Sequence, residues 1–333
     1  MISRISRSFL VIVFYWLMAA QVQADSLFVS SESERKPENP GQFQYLLDYA
    51  KDCRAIYFPD DWIFRQYPLA YVKTLPRSGL KFMILRHKDP GVQRIVFRGT
   101  STWNHLFLGF KYFRDDENTE VDMHSGFLSV VNEFLGSEID QIKKDVPISM
   151  TGHSMGGAVA VLAGMILERM GYQIKKIVTF GQPRVTDRQG ADIFRSVLPI
   201  TRVMHTTDIV PHIPPRFIGY SHLGEVIRLY GPFDFEHFDG VNKPAPRGID
   251  SDEKKANELW NLVQSKKLDV KDIPELTAFP GSNFFRTLGK HGMKFYIRSM
   301  IANFGVPGEY EGIPEEDEGD SNLSPANEET RKP

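Results

Sequence analysis

One cysteine, Cys53, is all the thiol chemistry this 333-residue chain possesses. An internal disulfide is therefore excluded, and a fold of this size has to rest on its hydrophobic core. Cys53 lies in the amphipathic stretch YLLDYAKDCRAIYF, where a half-buried helix cysteine is a better reading than a nucleophile. Zinc-ligand spacings are missing too, with no C-x-x-C and no H-E-x-x-H, so no metal and no other cofactor is expected. The phosphate-binding pattern G-x-x-x-x-G-K-[ST] is absent. Nor is there an excess of charge: 40 Lys and Arg stand against 42 Asp and Glu, which argues against a general nucleic-acid binder. The apolar run Phe9–Ala20 is twelve residues long, short of the ~17–25 that span a bilayer.

That short run has another use. Arg4 and Arg7 precede it and Val22-Gln23-Ala24 follow it, the pattern of a secretory signal peptide over residues 1–24 with cleavage before Asp25. The alternative is an uncleaved anchor. Cleavage would send the protein outside the cell or into a periplasm. Residues 25–42 are polar, rich in turn formers and expected to be loose. At the other end, residues 306–333 hold nine acidic residues against two basic ones, the composition of a disordered, solvated tail. One folded domain is expected between them, over 43–305.

Within it, apolar residues recur at helical spacing from Phe43 to Phe58. Leu80–His87 and Arg94–Phe97 read as strands joined at Asp89-Pro90-Gly91, a hairpin. A helix is expected over Phe127–Ile142, strands over 176–180, 200–205 and 224–229, and short helices over 192–198 and 251–262. The last helix is placed over 289–302. Strands alternating with helices imply a mostly parallel sheet flanked by helices, and the hairpin makes that sheet mixed. Trp62–Tyr71 is aromatic but irregular, and 231–282 carries weak patterns.

Pro147–Met170 organises the rest. Ile148, Met150 and Thr151 suit a buried strand, and Ala158–Leu167 suits a helix buried nearly all round. Between them lies Gly152-His153-Ser154-Met155-Gly156, a G-x-S-x-G turn. A glycine-rich turn without chemistry would look the same in isolation. The strand before and the helix after are the context a nucleophile elbow requires, with Ser154 lifted clear of the backbone. Serine attacks only when a base removes its proton, usually a histidine oriented by a carboxylate, and in this architecture the order is Ser, acid, His. Asp208 follows the strand Ile200–His205 and would lie at its carboxyl end, where such sheets gather their sites. Four histidines come later, His212, His222, His237 and His291, and the pattern alone ranks them only loosely.

Ser101–Met123 crowds Trp103, Leu106, Phe107 and Phe110 among other apolar residues, then turns acidic. Such a segment is either a core helix or a mobile lid over a lipid-binding cleft.

The pieces VFRGT (96–100), HSGF (124–127), TGHSMGGAVA (151–160), TFGQPRV (179–185), DIVPHIPP (208–215) and GYSH (219–222) occur together in one order. In these the chain resembles the class 3 lipases, named for fungal triacylglycerol lipases, a branch of the α/β-hydrolases. The resemblance implies an α/β-hydrolase fold with Ser154 as nucleophile and Asp208 as acid. It places the base in a late H-x-x-x-x-Y segment, which His291–Tyr296 fits, so His291 is chosen and His237 stands second; His222 matches a family histidine that is not the base. It also implies oxyanion donors at Thr100 and at the Met155 N–H, and it favours the lid reading of the segment after Thr100. The activity implied is hydrolysis of carboxylic esters of lipids at a lipid–water interface, with contact to a membrane surface or lipid droplet. The same triad could serve a phospholipase or an acyltransferase, and a non-catalytic lipid- or partner-binding module could keep the fold.

Overall fold

The hairpin and elbow strands carry large apolar residues on both sides of the pleat, as strands covered on both faces must. In the computed structural model they form the middle of an eight-stranded sheet. The structure describes residues 40–89, 91–99, 114–115, 121–232, 234–239, 253–254, 257 and 291–305. The expected signal peptide, most of the 25–42 segment, Thr100, the candidate lid residues Trp103, Leu106, Phe107 and Phe110, and the acidic tail lie outside them.

A 3-10 turn over Pro40–Phe43 leads into helices α1 (Tyr45–Ala55) and α2 (Asp60–Gln66). Strands β1 (Tyr71–Thr74), β2 (Lys81–Asp89) and β3 (Val92–Phe97) follow, paired antiparallel. Two-residue strands β4 (Arg114–Asp115) and β5 (Met123–His124) belong to a small second sheet. Helix α3 (Ser125–Glu138) carries the chain to β6 (Ile148–His153), and α4 (Met155–Arg169) carries it on to β7 (Ile174–Phe180). After β8 (Thr186–Asp187) and α5 (Arg188–Arg195) comes β9 (Ile200–His205), then β10 (Tyr220–Ser221), β11 (Glu225–Gly231) and β12 (Asp234–Phe238). Helix α6 (Met293–Phe304) is the last described element.

The sheet order is β1-β2-β3-β6-β7-β9-β11-β12. Strands β3, β6, β7, β9 and β11 are parallel neighbours, and the edges are antiparallel. Period-two alternation sorts the side chains. Phe97, Met150 and Ile177 pack with α3 and α4 on one face, whereas Val178, Phe180, Val203 and Ile227 pack with α1 and α6 on the other. Among the described residues no helix is long and apolar enough to cross a membrane.

Most expected elements appear within a residue or two. Helix α5 starts four residues before its expected position because Asp187 caps it, accepting the Gly190 N–H at 2.8 Å. Residues 253, 254 and 257 are helical, and the rest of the expected 251–262 helix lies outside the described residues. Helix α6 starts at Met293, four residues after the expected position, and helix α2 and strands β1, β4, β5, β8, β10 and β12 were not expected.

Candidate active site

Ser154 is the only non-glycine residue with positive φ among the described residues (φ 56°, ψ −126°). Such a conformation persists only where the surroundings force it. Strand β6 ends at His153 and α4 starts at Met155, so the chain reverses on Ser154 alone. The reversal presses the flanking residues together. A Cβ on Gly152 would stand 2.2 Å from the Gly156 carbonyl, and one on Gly156 would stand 2.2 Å from the Phe97 carbonyl oxygen of the neighbouring strand. The Ser154 N–H donates to the Phe180 carbonyl at 2.9 Å, which ties the elbow to the end of β7. The hydroxyl is buried and makes no hydrogen bond among the described residues.

Asp208 sits three residues beyond β9, fully buried. His291, two residues before α6, meets it: His291 Nδ1 and Asp208 Oδ2 are 2.6 Å apart. The Tyr296 hydroxyl donates to the same oxygen at 2.6 Å, and the Val210 N–H donates to Oδ1 at 2.9 Å. Burial pushes the Asp208 carboxyl up, but the His291 ring and these three hydrogen bonds outweigh it and hold the group below the usual carboxylate range. A carboxylate only accepts, so Nδ1 carries the ring proton and Nε2 is the basic nitrogen. The Tyr296 hydroxyl in turn accepts the His205 N–H at 3.2 Å, and burial followed by the Asp208 charge keeps it protonated.

Gly181 locks this pair to the elbow. It follows Phe180 with φ +58°, and a Cβ there would lie 2.7 Å from both Asp208 Oδ2 and His291 Cε1. The His291 ring also lies 4.5 Å, centre to centre, from the ring of His153, the residue just before Ser154. Serine, carboxylate and imidazole thus converge at the carboxyl ends of β6, β7 and β9.

Of the other candidates, Met155 is the first residue of α4, where helix N–H groups have no carbonyl partner four residues back. Thr100 and the candidate lid lie outside the described residues. His237 is elsewhere, on β12, bonded to Glu225 at 2.8 Å. His222 donates to the Pro211 carbonyl at 2.6 Å, and buried Arg184 donates to the Pro214 carbonyl at 2.8 Å and also to that of His212. Both side chains hold the loop that follows Asp208. Among the described residues no group of three or more His, Cys, Asp or Glu could hold a metal ion.

Sequence reasoning gave no role to Tyr296, although it closes the H-x-x-x-x-Y pattern, nor to His153 inside the elbow. Tyr57 hydrogen-bonds to His153 from 96 positions away and has no local signal at all.

The sequence around this site is shared with known proteins. Residues 94–218 match the lipase (class 3) family. That stretch runs from β3 through the elbow to the Asp208 loop and stops short of His291. A lipase of Rhizopus niveus is 34% identical over 156 residues, 42% of this chain and 39% of the relative. A lipase of Rhizomucor miehei is 34% identical over 158 residues, 43% of each. The chain therefore spans about two-fifths of the length of these curated relatives. Among solved structures, the lipase of Rhizopus microsporus var. chinensis superposes with a TM-score of 0.53 at 27% identity, over 63% of this chain and 88% of that one. The sheet order, the elbow and this likeness make the fold an α/β-hydrolase fold, and the likeness to class 3 lipases centres on the Ser154 and Asp208 segments.

Proposed function

We propose that this protein is a serine hydrolase cleaving carboxylic ester bonds of lipids, exported through residues 1–24. The observation that carries the reading is the buried 2.6 Å pairing of His291 with Asp208 beside the strained Ser154. The lipase names of its relatives support the substrate class.

In the proposed reaction Ser154 Oγ attacks the ester carbonyl carbon while His291 Nε2 takes its proton. The carbonyl oxygen becomes an oxyanion held by the Met155 N–H and by Thr100. Preorganised donors of this kind contribute roughly 2.7–4 kcal/mol each to the transition state. Asp208 stabilises the imidazolium without taking its proton. Collapse breaks the bond to the alcohol oxygen, which leaves with the proton from His291. Water then attacks the acyl-enzyme, gives a proton to His291 and releases the fatty acid, and Ser154 recovers its proton. Trp103, Leu106, Phe107 and Phe110 would cover the site as a lid that opens at a lipid–water interface.

Labelling of the purified exported protein with a fluorescent fluorophosphonate, beside hydrolysis of a triglyceride and a phospholipid, tests this. Labelling should vanish in Ser154→Ala and in His291→Ala and persist in His237→Ala, and Ser154→Ala should lower kcat by at least about a thousandfold. The N-terminal sequence should begin at Asp25. Undiminished hydrolysis by folded Ser154→Ala would defeat the reading, and faster turnover of the phospholipid would redirect it to a phospholipase.

A further inference from the structure

His153 and Tyr57 have no part in the reaction just described, yet they form a closed hydrogen-bond chain beside it. The Gly99 N–H donates to the Tyr57 hydroxyl oxygen at 3.1 Å. That hydroxyl lies 2.7 Å from His153 Nδ1, and His153 Nε2 lies 2.6 Å from the main-chain carbonyl of His291. The direction of the chain follows from its ends. A carbonyl only accepts, so Nε2 of His153 carries a proton. Burial, followed by the His291 ring, pulls the His153 imidazole down to about 3, so it is neutral and Nδ1 is bare. Nδ1 must then accept the Tyr57 proton, and the Tyr57 oxygen accepts the Gly99 N–H. One tautomer alone satisfies all three links.

The two ends are well chosen. Gly99 lies two residues beyond β3, next to Thr100 in sequence, and His291 is the proposed base. His153 is itself joined to Ser154. From the surrounding elements the groups facing its ring are Tyr57 beyond α1, Asp208 beyond β9, and His291 and Tyr296 at α6. Asp208 fixes only the side chain of His291. Its main chain lies outside α6 and needs a separate anchor.

We propose that Tyr57 and His153 are positioning residues that hold the backbone of the base in register with the strand end beside the oxyanion donor. This rests on the hydrolase reading above. It is distinct from a structural role because the direction of one N–H matters. A glutamine can place an N–H donor near the position of Nε2, while an asparagine reaches only as far as Nδ1.

The test compares kcat and KM for a soluble short-chain ester in wild type, Tyr57→Phe, His153→Asn and His153→Gln, with thermal unfolding midpoints. Misplaced bases cost one to two powers of ten, so His153→Asn, which loses the donor to the His291 carbonyl, should lose about tenfold in kcat at little-changed KM, and Tyr57→Phe, which loses only the Tyr57 link, about threefold. His153→Gln should return to within about threefold of wild type by the same reasoning. Tyr57→Phe removes a single oxygen and decides the matter if His153→Asn does not fold. Unchanged kcat in Tyr57→Phe, or glutamine and asparagine equally impaired, would overturn the proposal while leaving the hydrolase reading intact. A wild type no faster than Ser154→Ala would instead sink the hydrolase reading.

Discussion

At the scale of single residues the site is a problem of proton bookkeeping. Asp208 accepts three hydrogen bonds, and each forces a donor to face it. Asp208→Asn keeps the shape but can turn an amide N–H toward His291 Nδ1. The ring then moves its proton to Nε2, and the base is lost. Such a tautomer inversion lowers kcat about 10⁴-fold in a serine triad, and that is the expected result here, read by ester hydrolysis with an unchanged circular dichroism spectrum. A loss under tenfold would mean that Asp208 does not orient the base. Tyr296 is a milder case. Its hydroxyl both takes the His205 N–H and gives to Asp208, so it links strand β9 to α6 through the carboxylate itself.

At the scale of elements, helix α1 is the piece most worth breaking. It leads to Tyr57, and it is nailed to β3 by a buried ion pair, Asp52 Oδ2 to Arg94 Nη1 at 2.6 Å. The Tyr67 hydroxyl donates to the other carboxylate oxygen at 2.8 Å, and the Tyr49 ring lies 3.9 Å from the Arg94 guanidinium carbon. Removing one partner of a buried pair leaves an uncompensated charge and costs about 3–5 kcal/mol. Asp52→Ala should show that loss in urea unfolding, and Arg94→Met together with Asp52→Leu should recover much of it. A loss below about 1 kcal/mol in the single variant would show the pair to be solvated rather than buried. The elbow shows the same logic in backbone form. Gly152 and Gly156 are read from sequence as turn residues, but the atoms they must avoid lie on β3 and α4, which only the fold brings together.

At the scale of the whole molecule, acid is the natural probe. His153 and His124 are buried and neutral, pulled down by burial to about 3 and about 4. In the unfolded chain both take up protons below about 6.5. Their depressed values mean that the neutral-state stability is full above that pH and is lost as pH falls toward the folded values. By pH 5 each should cost about 2 kcal/mol. Buried His222 is likewise pulled well below its ordinary value by burial, so the unfolding free energy should drop between pH 7.5 and pH 5, and His124→Gln should remove about a third of the drop. A flat profile over that range would mean that these rings are protonated in the folded protein.

The same scale shows what could be read in advance. Strands β3, β6, β7 and β9 were legible because each is a short apolar run ended by a turn. Ser154 and Asp208 could be picked out as candidates because the elbow and the strand end are local patterns. A candidate base could not be ranked from pattern alone, since His237 and His291 are both late histidines near aromatic residues. What separates them is tertiary: Glu225 faces one and Asp208 the other. Strand β12, which carries His237, pairs with β11 and is half-buried at every position, which gives no alternation to read. Tyr57 and Tyr296 matter through partners roughly 90 positions away, and no window of sequence contains both ends.

His291 comes from the last described helix, while Ser154 and Asp208 come from the middle of the sheet. Domains form from the N-terminal side as the ribosome delivers them. A growing chain can therefore hold the Ser154 elbow and the Asp208 loop for some time before His291 arrives to face them. If the proposed hydrolase reading holds, catalytic power arrives only when the segment carrying His291 has emerged and docked, so the timing of synthesis itself delays the chemistry.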